Sequence, residues 1–170
     1  MDFMTLAADR YSVRKFKDTP VEQEAINKIL QAAALSPTAC NNQPQKIFVL
    51  RSKEALEKLK KCTDSHFNAP LAFIVCYDKS ICWKRPFDGK ESGDIDASIV
   101  TTHMILEAAS IGIGSTWVMY FKPDVLKEVF ELPDSIVPVS VIPMGYAADD
   151  AKPAERHALY RDPGEIITTL

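Results

Sequence analysis

The stretch from Asp94 to Ile111 limits the possible folds more than any other, because its residues are apolar or small almost all the way round a helix. Ala97, Ile99, Val100, Met104, Ile105, Leu106, Ala108 and Ala109 leave no wide polar face, and Gly112 supplies the stop. A helix apolar on most faces must be buried on most faces. In a chain of 170 residues the pattern predicts that a second subunit covers part of it. Asp94 or Asp96 stands where a helix cap belongs. His103, a lone histidine without partner spacing, reads as a satisfied buried polar group.

The remaining elements must supply that burial. Leu71–Tyr77 is a continuous apolar run between Pro70 and Asp78, the pattern of a buried central strand, and Val137–Tyr146 is a second. Lys46–Leu50 reads as a third strand, Val118–Phe121 as a strand end, and Glu165–Leu170 as a final strand. Thr19-Pro20-Val21-Glu22 has the form of a capping box and predicts a helix to about Leu35, with Val21, Ala25, Ile26, Ile29, Leu30, Ala33 and Ala34 in helical period. Asp2 is placed to cap a helix from Phe3 to about Ala8 that buries Phe3, Leu6 and Ala7. Ser52–Cys62 predicts an amphipathic helix with Leu56 and Leu59 inside and a solvated lysine face, and Pro123–Phe130 a short helix. Lys79–Gly93 reads as a loop whose Trp83, Pro86 and Phe87 anchor it to the core or cover a ligand. Strands and helices mix without strict alternation, which predicts an α+β sheet flanked by helices. With no repeat, linker or low-complexity tract, residues 1–170 read as one domain.

Several kinds of chemistry are excluded. A net charge of -3 and a pI near 5.6 give no general attraction to nucleic acid or an anionic membrane, so anion binding must be local. Four cysteines without a CxxC pair and three histidines without ligand spacing predict free thiols in a reducing cytoplasm and no metal site. The N-terminal residues do not read as a signal peptide, and no run approaches the ~20 apolar residues of a membrane span. There is no GxSxG elbow, P-loop or HExxH helix. Gly112-Ile113-Gly114 follows a helix, and Trp117 stands where a dinucleotide fingerprint needs its third glycine. Catalysis therefore leans on something the side chains do not supply, and an organic cofactor is the economical choice.

Two stretches could hold one. In Arg10-Tyr11-Ser12-Val13-Arg14-Lys15-Phe16, period two places Arg10, Ser12 and Arg14 on one side of an extended chain, two guanidinium forks flanking a hydroxyl. The same run also fits an edge strand with a solvated basic face. In Ser36-Pro37-Thr38-Ala39-Cys40-Asn41-Asn42-Gln43-Pro44, two prolines stiffen a polar loop whose Thr38, Asn41 and Gln43 could meet the carbonyls and nitrogens of a planar heterocycle, or could simply join a helix to a strand.

With Asp96-Ala97-Ser98, Gly112–Trp117 and Gly145-Tyr146-Ala147, these stretches in this order resemble the nitroreductase-like family of FMN-dependent oxidoreductases across nearly the whole chain. The resemblance implies an α+β fold with a central mixed or antiparallel sheet, and a homodimer with the long helix at its interface. It implies that Arg10, Ser12 and Arg156 hold the FMN phosphate and ribityl chain, with Tyr11 beside them and Arg14 toward the pyrimidine edge as the residue that tunes the flavin. Thr38, Asn41 and Gln43, framed by Pro37 and Ala39, would come from the other subunit, and Val118-Met119-Tyr120 would give a main-chain donor near flavin N5. The implied reaction is ping-pong, from NADH or NADPH to a small electron-poor acceptor such as a nitroaromatic or quinone, with no covalent side chain. Dehalogenating or flavin-modifying relatives, a flavin-binding sensor with little turnover, and a module without cofactor are the alternatives. Gln45 departs from the family, many of whose members carry tryptophan there, and the chain is near the family's small end.

Overall fold

The computed structural model describes residues 2–170. Strand β2 (Leu71–Asp78) is its centre, paired antiparallel with β1 (Gln45–Leu50) on one side and β4 (Ile136–Gly145) on the other. The short β3 (Gly114–Ser115) extends the far side of β4, giving the order β1-β2-β4-β3. Along β2 the side chains alternate between two cores. Leu71, Phe73, Val75 and Tyr77 join the cluster under α2 (Gln23–Ala34) and α4 (Gly93–Ser110), while Ala72, Ile74 and Cys76 join the one under α3 (Lys53–Cys62) and α5 (Pro123–Val129). Both faces are covered, which is why the run is apolar without alternation. Each large side chain so buried contributes on the order of 1.5–3 kcal/mol. Between Val75 and Cys76 the register with β4 slips by one residue, leaving Val139 as a bulge beside Pro138, where a missing N–H does least harm.

Helix α4 is the one read from its apolar surface, but a single chain covers more of it than expected. Val100, Met104 and Ala108 are fully buried against α2 and the sheet. What stays open is a stripe at helical spacing, with Ile95 exposed and Ile99 and Leu106 half-buried. The helix begins at Gly93 with Ser92 before it, so Asp94 and Asp96 lie in its first turn and neither is its cap. His103 is satisfied as read, its Nδ1 lying 2.9 Å from the Ile99 carbonyl.

Four further expectations change. Helix α2 starts at Gln23, because Val21 is drawn into the core and the Glu22 carboxylate receives the Tyr146 hydroxyl, which holds Glu22 extended; the Thr19-Pro20 cap is therefore unused. Helix α1 (Phe3–Asp9) forms under the Asp2 cap, yet Phe3 and Ala7 face solvent and Leu6 is only half-buried. In the 79–93 loop Phe87 is 92% exposed and anchors nothing, whereas Trp83 is half-buried. In place of a final strand, Asp162 accepts the Gly164 N–H at 2.7 Å and Pro163 opens the short α6 (Pro163–Ile166), and residues 165–170 join no sheet.

Two outcomes are expected. A methyl at Gly93 would sit 2.1 Å from the Tyr77 ring, so Gly93→Ala should lower unfolding free energy in urea by about 1–3 kcal/mol. Burial pushes the Cys76 thiol from 9.0 to about 12, and burial with nearby carboxylates pushes the Tyr77 hydroxyl from 10.0 to about 12. Both folded values lie above the unfolded ones, so this stability is complete below pH 9.0 and drains as pH climbs toward 12. Cys76→Ala should remove the part that begins at pH 9.0 and leave the part that begins at 10.0, read from urea unfolding along a pH series.

Candidate functional site

Helix α1 ends where the Arg10 N–H reaches the Leu6 carbonyl at 3.0 Å, and Arg10 is already extended. From there the chain runs parallel beside β3: Ser12 pairs with Ser115, the Val13 N–H donates to the Ser115 carbonyl at 3.0 Å, and the Thr116 hydroxyl donates to the Val13 carbonyl. This approach requires glycine at 114, since a Cβ there would lie 2.7 Å from Val13 Cγ2. With Val13 buried, period two turns Ser12 and Arg14 outward. Next Phe16 bridges antiparallel to Ala147, and Lys17 and Ala148 extend the pairing.

The outward residues meet the tail. Arg10, Ser12, Arg14 and Arg156 line one groove of about 320 Å³ with Tyr11 and His157. The tail's 3₁₀ turn, Glu155–Ala158, is pinned by His157, whose Nε2 lies 3.2 Å from the Ala8 carbonyl and whose ring meets Tyr11 edge-on at 6.2 Å. Arg14 donates to the Ser12 carbonyl at 3.2 Å. Among the described residues no carboxylate pairs with any of these three guanidiniums, although Lys15 and Lys17 nearby are paired with Asp150 and Asp149. Three guanidiniums beside a hydroxyl, with no acid on the walls, have the donor chemistry that suits an anion.

The edge strand leads away from that groove. Gly114 faces Gly145, Ser115 faces Met144, the Thr116 N–H donates to Pro143, and Val118 faces Val141, a single antiparallel register. Val118 spends both main-chain groups on Val141 at 2.9 Å. The Met119 and Tyr120 N–H groups donate to no acceptor among the described residues, and both side chains are exposed. Of the three residues expected to give a main-chain donor, the latter two are free to do so. They lie roughly 13–17 Å along the strand from Ser115, at about 3.3 Å per residue.

The polar loop is built differently. Cys40, Asn41 and Gln43 have φ of 52°, 54° and 50°, left-handed conformations that cost about 1–3 kcal/mol each in non-glycine residues. Asp96, 1% exposed, holds the loop: it accepts the Ala39 N–H at 2.8 Å and the Ser92 hydroxyl at 2.7 Å. The Gln43 N–H reaches Thr38 Oγ1 at 3.0 Å, the Gln43 amide reaches Asn41 Oδ1 at 3.0 Å, and Asn42 ties the loop to Ile81. Asn41 and Gln43 are exposed and Pro37 with them. Within one chain the loop does not share the arginine groove. Two buried polar atoms among the described residues, Trp117 Nε1 and Gln45 Oε1, have no partner. Sequence reasoning missed Asp96 and Ser92 as loop clamps and His157 as the tail's anchor. The one available signal was a second acid in a helix start that needs a single cap.

The α+β fold thus carries a guanidinium groove at one end of an edge strand and free amides at the other. The model of the Nitroreductase family matches residues 7–70 and 63–146. The chain belongs to the nitroreductase family. It is 46% identical to a nitroreductase family protein of Clostridium difficile 630, whose crystal structure superposes with a TM-score of 0.93 over 100% of both chains. An FMN-dependent nitroreductase of Clostridium difficile R20291 is 27% identical, with a TM-score of 0.76 over 94% of this chain and 99% of that one. A Methanothermobacter thermautotrophicus protein provisionally named NADH dehydrogenase/NAD(P)H nitroreductase is 34% identical over 88% of this chain and 80% of its own.

Removing the clamp should loosen the loop. Asp96→Ala leaves the Ala39 N–H and Ser92 hydroxyl unpaired, so stability should fall by about 1–3 kcal/mol. Hydrogen exchange at residues 39–43 should accelerate more than in the strands.

Proposed function

We propose that residues 1–170 form one FMN-binding domain that works as a homodimeric NAD(P)H oxidoreductase, passing electrons to nitroaromatics, quinones or similar electron-poor acceptors. The observation that carries this reading is the unpaired Arg10–Ser12–Arg14–Arg156 groove, joined by the Ser115–Val118 strand to the free amides of Met119 and Tyr120. The residues present fit FMN. Its phosphate suits the guanidinium forks of Arg10 and Arg156 and the Ser12 hydroxyl, and its ring edge suits main-chain donors. When bound, FMN supplies the two-electron chemistry that no side chain of this chain provides.

The chain's own part is positioning and electrostatics. Arg10, Ser12 and Arg156 anchor the phosphate and ribityl end. Arg14 places a fixed positive charge at the pyrimidine edge, where it favours extra negative charge on the ring. Met119 or Tyr120 aims a main-chain N–H at the edge where hydride is exchanged. Donor and acceptor use the same open face in turn, a ping-pong order. Pro37 to Gln43, with Thr38, Asn41 and Gln43 as its polar contacts, serves the ring of the partner subunit's flavin, which accounts for its distance from the groove of its own chain.

Dimerisation is supported by what the single chain leaves open. Phe3 and Met4 on α1, Leu159 and Tyr160 in the tail, and Ile166 and Ile167 beyond are all large, apolar and exposed, more than a stable monomer usually shows. Among the described residues no helix is long and apolar enough to cross a membrane.

The visible spectrum of the purified protein is the first test: it should be yellow, and anaerobic NADH or NADPH should bleach it until a nitroaromatic is added. A colourless protein that ignores added FMN, or a colour that persists with both donors, overturns the reading. Arg10→Ala should weaken FMN binding about 10- to 100-fold, the loss of a charged hydrogen-bond partner. Arg14→Ala should also weaken it, and should lower the reduction potential of the bound flavin, measured by dye equilibration.

A further inference from the structure

We infer that the electron acceptor is an aromatic molecule bearing an anionic group, and that it docks between the end of α3 and the 119–122 turn. The inference rests on the function proposed above and names the substrate class of the same site. A pocket of about 200 Å³, room for one substituted ring, lies there, lined by Tyr120, Phe121, Lys60, Lys61, Lys122 and Asp64 among others. Its walls are tied together. The Thr63 hydroxyl donates to the Tyr120 carbonyl at 2.5 Å and the Lys122 N–H to the Cys62 carbonyl at 2.9 Å. Tyr120 belongs both to this pocket and to the pair of free amides, so a ring held here lies next to the position assigned to the flavin edge.

The charge of the pocket is positive. Lys60 is neutralised by Glu57 at 2.7 Å, but Lys61 and Lys122 have no ion pair among the described residues, and Asp64 is the one acid on the lining. Local structure explains Lys60 and Lys61, since cations belong in the last turn of a helix. It does not explain Lys122. That residue precedes the first turn of α5, where the helix end is positive and a lysine is electrostatically misplaced. Burial raises the pKa of the Cys62 thiol on the pocket lining, and Lys122 and Lys61 offset part of that rise, so both ammonium groups lie close enough to be felt there. Two unpaired ammonium groups flanking aromatic walls select a flat ring with a carboxylate, sulfonate or phosphate.

The same anionic chemistry exists in the donor dinucleotide, so the test separates the two sources. In steady-state assays para-nitrobenzoate should show a lower KM than its neutral isostere para-nitrobenzamide. The double variant Lys61→Gln/Lys122→Gln should raise the para-nitrobenzoate KM roughly tenfold, as expected for two partly exposed charges, and leave para-nitrobenzamide and NAD(P)H unchanged. Lys28→Gln, which removes a lysine paired with Glu24 on α2, should change none of them. Calorimetric titration of para-nitrobenzoate into the purified protein should show the same roughly tenfold weakening without any turnover. A variant that treats both nitro compounds as the wild type does, or that raises the NAD(P)H KM instead, overturns the inference. A protein without flavin would sink the proposed oxidoreductase, while the calorimetry would still decide the anion site.

Discussion

Because β2 is buried on both faces, two helical layers are obligatory, and most of the remaining geometry follows from meeting that demand. An antiparallel sheet ordinarily keeps one face wet. Here Phe73 and Val75 on one side and Ile74 and Cys76 on the other are all inaccessible, so α2 and α4 must lie across one face while α3 and α5 cover the opposite one. The chain then has to pass from the first layer to the sheet edge between Leu35 and Gln45, and it does so in few residues. A connection that short between layers leaves main-chain donors stranded near a buried helix end. Asp96 meets one of them, at the Ala39 N–H, and its other oxygen is held by Ser92. A buried carboxylate without such partners would be costly, so carboxylate and loop stabilise each other.

The opposite edge of the sheet has a different logic. β3 is two residues long by strict pairing, yet its register with β4 continues to Val118, and the arginine segment lies on its other side. The strand is therefore held from both flanks only as far as Val118. Beyond that point the amides of Met119 and Tyr120 are released, and before it the Ser12–Ser115 pairing fixes where the guanidiniums begin. The spacing between the groove and the free amides is thus set by a strand, a stiffer ruler than a loop. It is also how a chain of net charge -3 can gather three guanidiniums in one groove without becoming generally basic.

The parts of this structure legible in the sequence are those governed by local pattern. The continuous run Leu71–Tyr77, the amphipathic period of Ser52–Cys62 and the apolar surface of α4 each report their own burial. The alternation at Arg10, Ser12 and Arg14 likewise survives, since period two belongs to any extended segment. Two of the misreadings depended on residues far apart in the chain. The capping box at Thr19-Pro20 was locally sound, but the Tyr146 hydroxyl on Glu22, 124 residues away, fixed the backbone against it. Asp96 was hidden by a sufficient local explanation, capping, and its real partner Ala39 is 57 residues distant. Arg156 carries no pattern of its own. Long-range contacts, those of His157 with Ala8 and Tyr11 among them, bring it to the groove.

The division of labour among the guanidiniums can be argued from their surroundings. Arg10 and Arg156 come from two segments joined by His157, so any movement of the tail would separate them. A bound phosphate spanning both would lock α1, the arginine segment and the tail into one unit. Arg14 is held differently: one nitrogen is engaged by the Ser12 carbonyl, and the residue also borders the adjoining cavity that contains Lys152. It sits at the groove's boundary with one donor already committed to the main chain. A cation fixed to backbone contributes less to capture than to the field felt by whatever lies beside it, because it need not reorganise when charge appears there. On the proposed reading, anchoring and tuning are separate because the two anchors come from segments joined through His157, while Arg14 is tied to the Ser12 carbonyl of its own segment.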